Sequence, residues 1–161
     1  LVAKRNAKVQ GIELNEQSIY ACVENGLSVF HSDIDSGLKG YPDKTFDYII
    51  LNQTLQEIKN IDYVMEESLR VGHKVIVGFP NFAHIGSRLM LFLHGRAPVT
   101  DSLPHTWFDT PNLRFLSIKD FEQFCSKKDI KVLHSYYLGK KHGVLLLPNL
   151  FAHNAIFVLT R

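Results

Sequence analysis

The stretch "KVQGIELN", residues 8–15, is a short apolar run that ends in an acid, Glu13, followed by a helix-capping asparagine. It reads like the second strand of a nucleotide-binding α/β domain, where an acid at the strand's end can accept the hydroxyls of a ribose; the alternative for Glu13 alone is an exposed strand-end charge. Such a strand normally follows another strand and a glycine-rich loop. Here only seven residues precede it, and none is glycine.

The reading extends outward from that strand. Asn15 is placed to cap a helix, and Ile19, Cys22 and Val23 recur with helical spacing before Gly26 closes it. "LSVFHSD" (27–33) predicts a second strand ending in Asp33. "SGLKGYPDKT" (36–45) is a loop by its glycines and Pro-Asp step. "FDYIILNQT" (46–54) predicts a third strand, whose continuous apolar run suits cover on both faces. Ile61, Val64, Met65 and Leu69 mark the next helix, and "HKVIVGFPN" (73–81) a fourth, buried strand. Strands alternating with helices in this way predict a parallel α/β sheet.

The rhythm breaks after residue 81. Ile85, Leu89, Phe92 and Leu93 trace an amphipathic helix. The segment 94–115 that follows is long and irregular, with three prolines and the one tryptophan. Loops of that length in compact domains are usually functional or disordered, and its aromatic content argues for order. Ser117 and Asp120 form a capping-box pattern ahead of a helix marked by Ile118, Phe121 and Cys125. Two strands close the chain, at 130–138 and 154–161. Between them lie glycines and a proline but no helical stripe, so a parallel crossover is not available. They are expected to pair antiparallel. The whole reads as one domain, residues 1–161, with a lid or insertion at about 82–116.

Composition narrows the function. The chain has 161 residues, 45% apolar and 21% charged, with a net charge of +2, too small to indicate nucleic acid or an anionic membrane surface. Cys22 and Cys125 both fall on apolar helical positions and read as buried free thiols, which suits a reducing compartment. The uncharged stretch 143–160 is interrupted by Pro148, Asn149, His153 and Asn154, so it reads as two short apolar pieces rather than a membrane span. Eight histidines show no metal-ligand spacing, so no metal is expected. No Gly-x-Ser-x-Gly elbow is present.

The candidate site gathers at the carboxyl ends of the strands. Glu13, with Leu14 beside it, is the candidate for the ribose of an adenosine cofactor. Asp33 is the candidate for an exocyclic adenine amine, and Ile34 for packing on the base. Asn52, Gln53 and Gln56 follow the third strand, where their amides reach a cofactor or an acceptor, or else cap the local turn. Pro80 and Asn81 end the fourth strand at the same edge. In the long segment, Trp107, Phe108 and Asn112 are candidates for a lid over a substrate, and His105 or Asp109 for a general base. Two acids at consecutive strand ends fit both dinucleotide dehydrogenases and S-adenosylmethionine-dependent methyltransferases. The antiparallel tail favours the second.

The segments "GIELN" (11–15), "NQTLQEI" (52–58), "LRVGHKVIVGFPNF" (69–82), "GRAPVT" (95–100) and "LPHTWFDTPNLRFLSIKDFE" (103–122) carry a closer resemblance. Together they resemble the methionine-biosynthesis protein MetW family, a branch of the class I methyltransferase fold. The resemblance implies a Rossmann-like, mostly parallel seven-stranded sheet with an antiparallel C-terminal strand, S-adenosylmethionine as cofactor and a cytoplasmic role in methionine biosynthesis. It further implies partnership with homoserine O-acyltransferase. The activity expected is methyl transfer to a small-molecule acceptor. The alternatives are a non-catalytic partner or regulator of the acyltransferase and, third, a nicotinamide-dependent dehydrogenase. The 161 residues are also expected to be an incomplete copy of their domain. Residues 1–7 read as the tail of a first helix, with a first strand and glycine-rich loop missing before it, roughly twenty residues by typical element lengths.

Overall fold

The computed structural model describes residues 7–161. The expected helix tail at residues 1–7 therefore lies, up to residue 6, outside the described residues. Strand β1 (Gln10–Glu13), helix α1 (Glu16–Glu24) and strand β2 (Ser28–His31) come first. A single 3₁₀ turn (Ile34–Ser36) and a loop lead to β3 (Phe46–Asn52), α2 (Ile61–Val71) and β4 (Gly72–Pro80). Helix α3 (Ile85–His94) opens the long irregular segment. Helix α4 (Ile118–Lys127), β5 (Lys131–Leu138), the one-turn helix α5 (Pro148–Phe151) and β6 (Asn154–Thr160) complete the chain.

Local chemistry sets these boundaries. Asn15 accepts the Ser18 N–H and starts α1, and Gly26 leaves the helix with φ +71°. The Ser117–Asp120 capping box forms completely at α4, which satisfies two amide donors that a helix start otherwise leaves unpaired.

The sheet is mixed. β1 pairs with β2 in parallel, as a two-stranded unit. The other four strands are ordered β3-β4-β6-β5. β3 and β4 are parallel, and β6 runs antiparallel to both β4 and β5. The antiparallel C-terminal strand is thus as expected. The structure shows six strands among the described residues, in two sheets, where the resemblance implied seven in one.

Alternation along β3, β4 and β6 divides their side chains between two faces. Ile49, Leu51, Val75, Val77, Phe79, Ala155, Phe157 and Leu159 share the face that packs against α2 and α4. From α2 come Val64, Met65 and Leu69, and from α4 come Ile118, Phe121 and Cys125. At the centre Phe79 stacks on Phe157 at 5.9 Å, and Phe121 tilts against both.

Two sequence expectations need correction, the cover of β3 on both faces and the burial of Cys22. β3 is covered on one face only: Tyr48 and Ile50 are about half exposed, because α2 packs on the Ile49–Leu51 side. The same holds for α1, in which no residue is buried and Cys22 is only partly covered. The apolar stripe of α3 is also open, with Phe92 85% exposed and Leu89 and Leu93 exposed beside it. An apolar periodicity predicts a helix, but it does not say which neighbour covers it.

Phe157→Ala should cost about 3–5 kcal/mol, as for truncation of a buried aromatic ring, read as a lower urea midpoint. Leu146→Ala, at an exposed position, should change stability by no more than about 0.5 kcal/mol. Equal midpoints for the two variants would contradict this core.

Candidate functional site

Parallel pairing brings Glu13 opposite His31, and the Ser32 N–H donates to the Glu13 carbonyl. Glu13 and Asp33 therefore emerge at the same carboxyl edge. Each acid is oriented by its own turn. Glu13 Oε1 accepts the N–H groups of Leu14 and Asn15, both at 2.9 Å. Asp33 Oδ1 accepts the Asp35 N–H, also at 2.9 Å. The other oxygen of each carboxylate accepts no hydrogen bond from a described residue. Leu14 is exposed beside Glu13, and Ile34 is half-buried after Asp33.

A second group stands at the ends of β3, β4 and β6. Asn52 pairs in register with Gly78. A Cβ on Gly78 would stand 2.5 Å from Asn52 Oδ1, so glycine gives the amide room to lie over β4. Gln53 takes a left-handed backbone, φ +57°, and its N–H donates to the Gly78 carbonyl. Its side-chain Nε2 approaches Asn154 Oδ1 at 3.5 Å. Gln56 is buried, and its Nε2 donates to the Gln53 carbonyl and Oε1 at 2.9 and 3.3 Å.

Pro80 and Asn81 sit at this edge but inside the fold. Asn81 is fully buried. Its Nδ2 donates to the carbonyls of Asn149 and Ala152, its Oδ1 accepts the Ala83 N–H, and its backbone N–H donates to the His153 carbonyl. Every polar atom of that side chain is engaged internally, so it clamps the strand end instead of facing a ligand.

The long segment folds back on the same edge. The Gln56 carbonyl accepts the N–H groups of Leu113 and Arg114, and the Arg114 guanidinium donates to the carbonyls of Ile58 and Lys59. A cleft of about 240 Å³ opens under the segment, lined among others by Phe82, Leu91, His105, Trp107, Asn112 and Phe115. Trp107 and Phe108 meet edge to face and are 76% and 73% exposed. His105 is exposed at the cleft. The Thr106 hydroxyl donates to Asp109 at 2.7 Å and holds that carboxyl below the usual carboxylate range, which makes Asp109 a poorer base.

Sequence reasoning did not single out His84, His153 and Asn154. His84 caps α3, its Nδ1 accepting the Gly86 N–H at 3.0 Å, and its ring stacks on His153 at 4.0 Å. The available signal was a polar residue with an acceptor immediately before the apolar stripe of α3. Burial, then His153 and Lys140, push the His84 imidazole below the ordinary histidine range.

Comparison with known proteins shows the family and the fold. The sequence model of "Methionine biosynthesis protein MetW" matches residues 1–159. The chain belongs to the MetW family. A bifunctional methionine biosynthesis protein MetXA/MetW of Rhodopirellula baltica is 31% identical over 159 residues, 96% of this chain. The chain spans about a quarter of that relative's length, 26%. Solved structures share the fold. A methyltransferase of Thermotoga maritima, described as S-adenosylmethionine-dependent and a possible histamine N-methyltransferase, superposes with TM-score 0.68 at 14% identity. It covers 99% of this chain and 75% of its own. An S-adenosylmethionine-dependent methyltransferase of Archaeoglobus fulgidus gives 0.65 at 11% identity, over 99% and 78% of the two chains. The MetW chain thus has the Rossmann-like class I methyltransferase fold.

Protonating His84 places a second N–H against the Gly86 N–H and destroys the cap. A histidine whose folded pKa is depressed loses its stabilising contribution as pH falls below the unfolded value, near 6.5. The melting temperature should therefore drop between pH 7.5 and 5.5. In His84→Asn, which keeps a capping oxygen that does not titrate, the drop should be smaller. An equal drop in both proteins would remove His84 as its source.

Proposed function

We propose that this MetW chain binds S-adenosylmethionine at the carboxyl edge of its strands and directs its methyl group to a small-molecule acceptor. The observation that carries the reading is the pair of pre-oriented acids, Glu13 and Asp33, each with one oxygen fixed in its own turn and one open. These residues fit the cofactor. The open oxygen of Glu13 would accept the ribose hydroxyls, and that of Asp33 the adenine amine, with Leu14 and Ile34 offering apolar contact to the adenosine. Hydrogen bonds to a charged group are worth about 1.5–3 kcal/mol each. Asn52 and Gln53 stand at the carboxyl end of β3, the first strand of the four-stranded sheet. When bound, the cofactor supplies a sulfonium-activated methyl group. The protein's task is then to align an acceptor and exclude water.

The segment 82–116 acts as the lid in this reading. It is tied to the β3–α2 connection through Gln56 and presents Trp107 and Asn112 at the cleft, with Phe108 against Trp107 and Pro80 and Asn81 as its rigid base. His105 is the better placed of the two candidate bases, since Asp109 is held by Thr106. Among the described residues no group of three or more metal-ligating side chains gathers, and the amide-rich edge offers neutral donors and acceptors. No described helix is long and apolar enough to cross a membrane, and a cytoplasmic setting accords with the two free thiols.

A second reading has its own support. The relative in Rhodopirellula baltica joins a MetXA part and a MetW part in one chain. A separate MetW chain would then meet its homoserine O-acyltransferase as a partner, with or without methyl transfer of its own. The open apolar residues of α3 and of Leu145–Leu147 supply a surface of the kind that protein partners cover.

Three measurements test these readings on the natural full-length protein. Glu13→Ala should weaken S-adenosylmethionine binding about tenfold or more by calorimetry; an unchanged dissociation constant would sink the ribose assignment. Amide exchange across residues 95–112 should slow when the cofactor and an acceptor bind, whereas equal protection with and without them would make the segment a packed loop. Co-purification with the acyltransferase, together with no turnover on any acceptor, would favour the regulatory reading.

A further inference from the structure

Asp35 and Arg114 hold the same two peptide groups from opposite sides. The Asp35 carboxylate accepts the Lys59 N–H at 3.1 and 3.0 Å, one distance to each oxygen, and the Asn60 N–H at 2.9 Å on Oδ1. In a trans peptide the carbonyl points away from the N–H. The carbonyls of those same two units, Ile58 and Lys59, each accept one terminal nitrogen of the Arg114 guanidinium, whose planar fork suits paired acceptors. Opposite charges thus face each other across residues 58–60. Burial opposes the Asp35 charge, but the Asn60 and Lys59 N–H groups, with the charges of Lys59 and Arg114, hold its carboxyl below the usual carboxylate range.

Each end of this bridge leads to a part of the proposed site. The Asp35 N–H donates to Asp33 Oδ1 at 2.9 Å, so the residue that grips the bridge also orients the acid assigned to the adenine. The same turn is pressed onto α2 at Gly37, φ +84°, where a Cβ would stand 2.5 Å from the Tyr63 hydroxyl. At the other end, the N–H groups of Leu113 and Arg114 donate to the Gln56 carbonyl, and the flanking Asn112 and Phe115 line the cleft. Between the ends, Ile58 is 2% exposed and packed in the core, which leaves its peptide little freedom of its own.

We propose that Asp35 and Arg114 are paired positioning residues that couple the adenosine end of the site to the long segment. Filling the Asp33 turn tightens the segment that would close on the acceptor. This rests on the S-adenosylmethionine reading above. Coupling between two sites is reciprocal, so a change at Arg114, in the segment, must reach the affinity at Asp33. A simple helix-capping role for Asp35 is the competing account. However, α2 already has its own cap, Asn60 Oδ1 accepting the Tyr63 N–H at 3.3 Å. Capping also leaves Arg114 on the carbonyl side unexplained, and it predicts a loss of stability alone.

The test uses the natural full-length protein, with adenosine and adenosylhomocysteine as probes. In the unmutated protein, adenosine alone should slow amide exchange at Leu113 and Arg114. Asp35→Asn, which turns one accepting oxygen into a donor, and Arg114→Met should each weaken adenosylhomocysteine binding about fivefold, at the low end of typical coupling between sites. The double variant should lose about fivefold as well, since both changes cut one bridge, where independent effects would multiply to about twenty-five-fold. Without ligand, Asp35→Asn should speed exchange at Leu113 and Arg114 more than at Phe157 in the core, where a general loss of stability would show. Exchange unchanged by bound adenosine, an unchanged dissociation constant in Arg114→Met, a multiplicative double variant, or equal acceleration at Phe157 would overturn the proposal. The adenosine measurement needs no variant to fold. The ligand-free comparison decides the coupling even where neither probe binds the unmutated protein, an outcome that would instead sink the S-adenosylmethionine reading.

Discussion

The buried amide of Asn81 is the contact on which the carboxyl edge depends. A buried side-chain amide must find partners, since each polar group left unpaired costs about 1–3 kcal/mol. Asn81 finds them in two separate pieces of chain: Asn149 and Ala152 before β6, and Ala83 before α3; its backbone N–H adds a bond to the His153 carbonyl. These bonds bring the antiparallel β6 against β4 so that Pro80 pairs with Asn154. They also bring His153 onto His84 and set the direction in which α3 leaves the sheet. The edge that would bind ligands is thereby rigid from below, although its upper wall is an irregular segment.

Above that base the site is divided by charge. On the β1–β2 side stand two carboxylates, each braced by its own turn. On the β3, β4 and β6 side stand neutral amides: Asn52, Gln53, Gln56 and Asn154. In the proposed reading, the first receives the hydroxyl and amine groups of an adenosine. In the same reading the second would face a neutral acceptor, because amide oxygens and N–H groups can recognise it without adding charge near a sulfonium. The division follows from the sheet, in which parallel strands present their carboxyl ends together while β6 arrives from the opposite direction and contributes its first residue.

The exposed apolar residues tell of a different constraint. Tyr48 and Ile50 on β3, most of the stripe of α3, and Leu145 to Leu147 are open. Monomeric soluble domains seldom leave large contiguous apolar areas uncovered. The core of Phe79, Phe121 and Phe157 nevertheless closes on the face of the sheet that carries α2 and α4, so β3 has one packed face and one open face.

Much of the architecture was legible in the sequence because it rests on local rules. Asn15, Gly26 and the Ser117–Asp120 box mark helix ends by hydrogen bonds made within a few residues. The apolar runs at 46–54, 73–81 and 154–161 announce strands, and the lack of a helical stripe between 138 and 154 dictates antiparallel closure. Glu13 and Asp33 could be read as strand-end acids from position alone. Tertiary structure alone decided the rest. Periodicity cannot tell which face of β3 or α3 is covered, because cover belongs to the neighbour. Asn81 could not be recognised as a clamp, nor His84 as stacked on His153, because their partners lie about seventy residues away. The bridge between Asp35 and Arg114 is likewise invisible in one dimension: it exists only because the fold brings both side chains to the same two peptide groups.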